Sequence, residues 1–167
     1  MRVLGLDPGT VVLGYGLVAT DGELVRAVEN GVLTAPRSVD RVGRLSLMHE
    51  QVKVLLERLR PDEVAVEEPF VGKNVASALA IGEARGAVLV AVVGRGLPVF
   101  QYSPAKVKSA VSGYGRGDKE QVRRMVSLQL GLTEPPASTD ASDALAIALC
   151  HVMEMRVRRI IAAQGKG

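Results

Sequence analysis

The sequence predicts an α/β domain in which helices flank a mixed sheet of five strands. Three observations lead to this fold class: short apolar runs typical of strands, longer segments with apolar residues at helical spacing, and Gly or Pro between the segments. With 167 residues, the chain is long enough for one domain. We expect that domain at 1–156 and a basic, flexible tail at 157–167.

The N-terminal part of the chain predicts an antiparallel meander of three strands. The strands are expected at 3–7, 14–19 and 24–33. The first of them ends at Asp7, because Pro8 and Gly9 form a dipeptide that favours a turn. Asp21-Gly22 joins the second and third strands, and we expect a type I′ turn there, since this dipeptide tolerates the positive φ angles that such a turn requires.

Helices and two further strands follow in the rest of the chain. The helices are expected at 38–59, 74–93, 103–113, 118–130 and 139–155, and the strands at 64–66 and 98–102. Pro61 prevents the first helix from continuing, and Asn74 caps the second. Ser103-Pro104 begins the third as its N-cap and first helical residue. This order of elements supports the α/β assignment.

The helix expected at 74–93 is apolar around most of its circumference. Such a helix must be covered on several sides, because water would otherwise contact a wide apolar surface. Two explanations remain open: the helix lies at a subunit interface as well as on the sheet, or it is central to the monomer. We favour the interface and therefore a dimer.

The composition excludes several classes of protein. Apolar residues make up 47% of the chain and charged residues 23%, which indicates a globular domain with a real core. No apolar run reaches the roughly 18 uncharged residues that a membrane span needs, and the N-terminus lacks a signal-peptide pattern. Cys150 is the single cysteine, which excludes a disulfide framework and a Cys-rich zinc site. We expect a cytoplasmic protein that does not enter a membrane.

Basic residues are concentrated in two parts of the chain, although the net charge is only +3. The first patch contains Lys106, Lys108, Arg116, Lys119, Arg123 and Arg124, and the second contains Arg156, Arg158, Arg159 and Lys166. Clustered Lys and Arg side chains can contact the phosphates of nucleic acid. A solvated helix face is the alternative explanation for either patch.

Four carboxylates lie at the ends of predicted elements: Asp7, Glu67, Asp140 and Asp143. Asp140 and Asp143 are three residues apart, so they project from the same side of a helix. If the four converge they repel one another, and a hard divalent cation such as Mg²⁺ is the natural compensation. Two such ions can activate a water and stabilise the leaving oxygen at a phosphate, which predicts phosphodiester hydrolysis.

Each carboxylate also has an ordinary explanation. Asp140 and Asp143 could cap the last helix and interact with its positive end, and Asp7 could simply open a turn. Glu67 and Glu68 face opposite sides of a strand, so at most one of them can join Asp7. We choose Glu67 and expect Glu68 to be solvated.

Several spaced motifs closely resemble those of the RuvC crossover-junction endodeoxyribonucleases. The motifs are Asp7-Pro8-Gly9-Thr10 with Gly14-Tyr15-Gly16, Glu67 with Phe70 and Lys73-Asn74, and Asp140-Ala141-Ser142-Asp143 followed by Ala144-Leu145-Ala146-Ile147-Ala148. They occur in the family's order and span residues 1 to about 155. A set of motifs in one order is far more specific than any single Asp.

The resemblance implies a ribonuclease-H-like fold and a homodimer that resolves four-way (Holliday) DNA junctions in homologous recombination and DNA repair. Each subunit would nick one of two strands of opposite polarity. The four carboxylates, Asp7, Glu67, Asp140 and Asp143, would hold Mg²⁺ or Mn²⁺, two ions per subunit, and water would attack to leave 5′-phosphate and 3′-hydroxyl ends. The RuvA–RuvB branch-migration complex would be a partner.

The resemblance also implies contacts with DNA. Lys108 and Lys119 match basic residues near the scissile phosphate, where a cation can stabilise developing charge. Phe70 matches an aromatic residue that stacks at the junction crossover, and burial in the core is its alternative. The remaining expected DNA contacts are Lys73 and Asn74, close to Phe70 in sequence, and Lys106, Arg116 and Arg123 in the first basic patch.

Two other functions remain open. The opening Asp7-Pro8-Gly9-Thr10 also looks like the phosphate loop of actin-like and sugar-kinase-like ATPases, which would make the chain a nucleotide-binding module or a non-catalytic partner subunit. Such ATPases clamp nucleotide between two domains, and only one is expected here. A ribonuclease H would keep the chemistry and act on RNA–DNA hybrids. His151 is expected to pack in the core without a catalytic role.

Overall fold

The computed structural model describes residues 1–69, 74–112 and 119–164, apart from the side chain of Lys119. Its strands are β1 (Arg2–Pro8), β2 (Val12–Thr20), β3 (Val25–Thr34), β4 (Glu63–Glu67) and β5 (Val99–Tyr102). Its helices are α1 (Arg41–Leu59), α2 (Val75–Val93), α3 (Pro104–Ser112), α4 (Lys119–Gln129) and α5 (Thr139–Gln164). The described residues therefore contain every strand and helix that the sequence predicts.

The five strands of the described chain form one mixed sheet in the order β3-β2-β1-β4-β5. β1 pairs antiparallel with β2, and β2 pairs antiparallel with β3, which confirms the predicted meander. β4 is parallel to β1 and to β5. β1 therefore lies at the centre of the sheet, between an antiparallel and a parallel neighbour.

Helices cover both faces of this sheet, because side chains alternate along the buried strands. In β1, Leu4 and Leu6 pack with α1 and α2 in one apolar cluster, whereas Val3 packs with α3, α4 and α5 in the other. In β4, Val64 and Val66 belong to the first cluster and Ala65 to the second. The molecule thus has three layers, and alternate residues of one strand belong to different cores.

Glycines in β1 and β2 let helix α5 lie directly on the sheet. A Cβ at Gly5 would lie 1.9 Å from the carbonyl oxygen of Ala144, and one at Gly16 would lie 2.7 Å from the nitrogen of Leu145. Neither position has room for a side chain. Glycine within a strand is typical of places where another backbone approaches closely.

The turn between β2 and β3 differs from the expected type I′ turn. Such a turn needs positive φ at both central residues, Asp21 and Gly22. Gly22 has a φ of 111°, but Asp21 does not have a positive φ, because Arg60 is the one non-glycine residue of the described chain that does. Asp21 instead accepts hydrogen bonds from the backbone nitrogens of Glu23 and Leu24, at 3.0 and 2.9 Å. This side-chain turn supports a longer loop, so the predicted turn type was wrong.

Two predicted helix boundaries also need correction. α1 begins at Arg41 and not at 38, because the carboxylate of Asp40 caps it by accepting a hydrogen bond from the backbone nitrogen of Gly43 at 2.6 Å. α5 does not end near 155 but continues to Gln164, so 157–164 is helical. Arg156 anchors this extension by donating to the carbonyl of Glu23 at 2.7 Å. Residues 165–167 lie outside the described residues.

Helix α2 is covered on one side and exposed on the other. Its buried residues are Ala84, Val88, Ala91 and Val92. Val75, Leu79, Val90 and Val93 are each more than 60% exposed, which rules out the alternative that α2 is simply central to the monomer. By length and composition α2 could also cross a membrane, but these two criteria are weak evidence, and its Glu83 and Arg85 are charged.

Candidate active site

Asp7 and Glu67 are brought together by the central pair of parallel strands. The last register pair that β1 and β4 share is Leu6 with Val66, and each acid follows directly. Alternation along each strand places Asp7 on the face of Gly5, and Glu67 on the face of Ala65, which is the face covered by α5. Glu68, on the opposite face, is exposed, as expected.

The first turn of α5 reaches the same edge of the sheet. Gly14 is the register partner of Asp7, and a Cβ at Gly14 would lie 2.0 Å from the carbonyl oxygen of Asp140. The hydroxyl of Ser138 caps this helix by accepting from the backbone nitrogen of Ala141 at 3.0 Å. Because Ser138 provides the cap, capping does not explain the two aspartates of this turn.

A cavity of about 440 Å³ lies between the ends of β1 and β4 and the first turns of α5. Its charged lining residues are Asp7, Glu67, Lys108 and Asp143, and its apolar wall is formed by Pro104, Val107, Val122 and Ala146. The structure therefore brings three of the four predicted carboxylates around one space. Asp140 does not line it, although its main chain lies against Gly14, beside Asp7. We expected all four carboxylates to line one site, and three of them do.

The donor chemistry of this cavity fits a hard divalent cation, since carboxylate oxygens are the ligands that Mg²⁺ and Mn²⁺ prefer. Asp7, Glu67 and Asp143 supply such oxygens from three separate elements. No three His, Cys, Asp or Glu side chains of the described residues converge closely enough to hold one ion. Coordination would therefore require these side chains to turn towards a common point, or to bind in pairs.

The basic residues of the first patch divide into different environments. Lys108 lines the cavity with the carboxylates. The ammonium of Lys106 instead contacts Glu154 at 2.7 Å and lies 5.9 Å from the centre of the Tyr102 ring. Arg123 donates to the carbonyl of Pro136 at 2.5 Å. Lys106 and Arg123 thus both have intramolecular partners.

Several of the expected DNA contacts cannot be placed. Phe70, Lys73 and Arg116 lie outside the described residues, and so does the side chain of Lys119. Asn74 is described, and it caps α2 as predicted by accepting a hydrogen bond from the backbone nitrogen of Ser77 at 3.1 Å. Its contact with DNA remains a prediction.

His151 is a packing residue, as the sequence predicts. It is fully buried, with Nε2 2.6 Å from a carboxylate oxygen of Glu63 and Nδ1 2.7 Å from the hydroxyl of Tyr102. Phe100 packs on its ring with 4.4 Å between ring centres. Both ring nitrogens therefore have partners within the core.

Sequence reasoning missed Arg85, which contacts the main chain at the site. Arg85 extends from α2, and its Nε donates to the carbonyl oxygen of Glu67 at 3.2 Å. The available signal was that Arg85 is the single basic residue of a largely apolar helix. Its acceptor is a backbone atom on a distant strand, which no sequence pattern identifies.

Comparison with known proteins decides the family. The family model described as "Crossover junction endodeoxyribonuclease RuvC" matches residues 3–151. The chain belongs to the RuvC family. The RuvC of Chloroflexus aggregans is 50% identical over 151 residues, covering 90% of this chain and 92% of that protein. The RuvC of Thermotoga petrophila is 42% identical over 160 residues, covering 96% and 97%.

Solved RuvC structures have the same fold. T. thermophilus RuvC in complex with a Holliday junction substrate has a TM-score of 0.88 and 41% identity, covering 94% of this chain and 96% of that one. The yeast mitochondrial resolvase Ydc2, at 14% identity and a TM-score of 0.68, is similar in fold alone. The ribonuclease-H-like fold is confirmed, and RuvC membership decides against an actin-like or sugar-kinase-like module.

Proposed function

We propose that this chain is a metal-dependent endonuclease that resolves four-way DNA junctions. The observation that carries the proposal is the cavity in which Asp7, Glu67, Asp143 and Lys108 meet at one edge of the sheet, in a member of the RuvC family. This arrangement suits hydrolysis of a phosphodiester. The carboxylates can hold metal cations, and these cations together with the lysine would compensate the negative charge of the phosphate.

Asp7, Glu67 and Asp143 would hold Mg²⁺ or Mn²⁺, and Asp140 would join them from the first turn of α5. Two bound ions per subunit would supply an activated water and stabilise the leaving oxygen, giving 5′-phosphate and 3′-hydroxyl ends. Lys108 would contact the phosphate, because it lines the same cavity. The apolar wall excludes part of the water, which strengthens each of these charge interactions.

A homodimer formed through α2 would give the symmetry that paired cuts require. Val75, Leu79, Val90 and Val93 form an exposed apolar face, and two copies of the same helix can bury this face against each other. Two subunits related by a two-fold axis would place two cavities on strands of opposite polarity. Each subunit would then make one nick.

Some of the remaining DNA contacts are proposed from the described structure, and the others from the resemblance to the family alone. Asn74 is exposed at the start of α2 and would contact the junction from there, whereas Lys106 and Arg123 would have to exchange intramolecular partners for phosphates. Phe70, Lys73, Arg116 and Lys119 are proposed from the resemblance to the family alone. Action in the cytoplasm, with the RuvA–RuvB complex as partner, is proposed on the same basis.

The test is cleavage of a synthetic four-way junction with Mg²⁺ or Mn²⁺, beside a linear duplex, an RNA–DNA hybrid and ATP. We expect paired nicks at symmetric positions in the junction and little cleavage of the duplex. Preferential cleavage of the hybrid would support a ribonuclease H instead, and hydrolysis of ATP without nicking would support a nucleotide-binding module.

A further inference from the structure

Arg85 joins helix α2 to the ends of two strands. Its Nε donates to the main-chain carbonyl of Glu67 at 3.2 Å, at the end of β4. Its Nη2 donates to the side-chain oxygen of Gln101 in β5 at 2.5 Å. One guanidinium therefore ties α2 to both strands at the edge of the sheet where the carboxylate cavity lies.

The chemistry of arginine suits this position. A guanidinium has donors in a fixed plane and can serve two acceptors at once, whereas an ammonium is a single flexible point charge. Partial burial lowers the pKa of Arg85, and the nearby carboxylate of Glu68 acts in the opposite direction. Partial loss of hydration makes the charged guanidinium less stable, and its two hydrogen bonds offset this cost in free energy.

Arg85 approaches Glu67 from the face opposite to α5. α2 covers the face of the sheet that carries Val64 and Val66, while alternation places the Glu67 side chain on the α5 face. The guanidinium thus holds the peptide group that carries the carboxylate. It can fix the direction of that carboxylate without taking up one of its oxygens.

We infer that Arg85 is a positioning residue that holds the main chain of Glu67 so that its carboxylate faces the cavity shared with Asp7 and Asp143. The inference rests on the proposed function, because it requires Glu67 to bind a metal ion. Groups that orient a metal ligand commonly change metal affinity about 10-fold to 100-fold when they are lost.

The experiment is calorimetric titration of the folded protein with Mn²⁺ in the absence of DNA. Arg85→Leu should weaken Mn²⁺ binding about 10-fold. Loss of a positive charge by itself would strengthen cation binding, so weakening reports the lost position of Glu67 and not the lost charge. The matched control is Arg95→Leu, which removes the same charge beside the far end of α2, where Arg95 contacts Glu57. Arg95→Leu should bind Mn²⁺ at least as tightly as the unchanged protein.

Two further variants keep the result interpretable. Arg85→Lys keeps the charge but cannot donate to both acceptors at once, so it should weaken Mn²⁺ binding by a factor between those of the unchanged protein and Arg85→Leu. It replaces Arg85→Leu in the test if that variant does not fold. Glu67→Gln should weaken binding at least as much as Arg85→Leu. If Glu67→Gln weakens binding while both Arg85 variants bind like Arg95→Leu, the positioning role is wrong and the proposed function survives. If Glu67→Gln has no effect, the proposed metal site itself fails.

Discussion

At the scale of single residues, the buried polar groups under α5 explain how the core tolerates a histidine. His151 lies between Glu63 of β4 and Tyr102 of β5, and each ring nitrogen has a partner. A buried polar group costs little when its hydrogen bonds are made. The arrangement ties the middle of α5 to the same two strands whose ends lie at the candidate site.

The raised pKa values of Tyr102 and Cys150 predict how the free energy of unfolding changes at alkaline pH. Burial raises the pKa of the Tyr102 hydroxyl and of the Cys150 thiol, each to about 12. In the unfolded chain the thiol begins to lose its proton at about pH 8 and the hydroxyl at about pH 9, while the folded protein keeps both protons. Their contribution to stability is therefore complete below about pH 8 and is lost as the pH rises towards 12. The free energy of unfolding, measured with urea, should fall by up to about 1.4 kcal/mol per pH unit for each group.

Cys150→Ala provides the control for this prediction. The variant removes the thiol, so the decline between pH 9 and 10 should become shallower, while the decline due to Tyr102 remains. An identical pH dependence in the variant and the unchanged protein would contradict the contribution of Cys150.

At the scale of elements, the contact between α5 and the central strands depends on glycine. Gly5→Ala would place a Cβ within 1.9 Å of the backbone oxygen of Ala144, and a backbone atom cannot turn away as a side chain can. We expect α5 to be displaced, with a loss of about 3 kcal/mol in the free energy of unfolding. Because α5 carries Asp143, cleavage of a four-way junction should fall as well. Chemical denaturation and the cleavage assay measure the two effects.

The control for Gly5 is a glycine with free space around it. A Cβ at Gly82 in α2 would meet nothing within 4 Å, so Gly82→Ala should change the free energy of unfolding by no more than about 1 kcal/mol. Equal stability of the Gly5→Ala and Gly82→Ala proteins would mean that α5 does not lie as close to β1 as described.

The elements themselves were largely predictable because their signals are local. Helical spacing, Asn74 as a cap and Pro61 as a stop depend on neighbours in sequence, and the sheet follows from the order of elements. The β2–β3 turn was not predictable from its dipeptide, because Asp21 uses its side chain to form a different turn. The end of α5 was missed because Arg156, Arg158 and Arg159 gave the segment the composition of a basic tail, although Val157, Ile160 and Ile161 continue the helical spacing.

The candidate site was predictable where strand ends define it. Asp7 and Glu67 follow paired residues of neighbouring parallel strands, so alternation alone places both on one face. The relative positions of Asp140 and Asp143 depend on how closely α5 approaches Gly14, which is a tertiary contact. Arg85 could not be assigned at all, since its acceptor is a main-chain oxygen brought near only by folding.

At the scale of the whole molecule, the exposed face of α2 predicts self-association. Leu79 is 63% exposed on this face, and the introduction of a charge there would oppose burial against a second copy. We expect the unchanged protein to sediment as a dimer and Leu79→Glu to sediment as a monomer in analytical ultracentrifugation. Paired nicking of a junction should be lost together with the dimer.

The matched control is Leu128→Glu on α4, where an equally apolar side chain is 74% exposed outside α2. This variant should remain a dimer, because its position is not part of the proposed interface. Dissociation of both variants, or of neither, would contradict a dimer formed through α2.

The central claim for the whole molecule is that the carboxylates of its cavity bind the metal ions that DNA cleavage requires. The most direct measurement is the number of Mn²⁺ ions bound per subunit, counted by titration for the unchanged protein and for Asp7→Asn, with junction binding measured beside it. We expect two ions per subunit in the unchanged protein, and in Asp7→Asn the loss of at least one ion and of cleavage while the junction is still bound. Full metal binding by Asp7→Asn, or unchanged cleavage, would contradict the account.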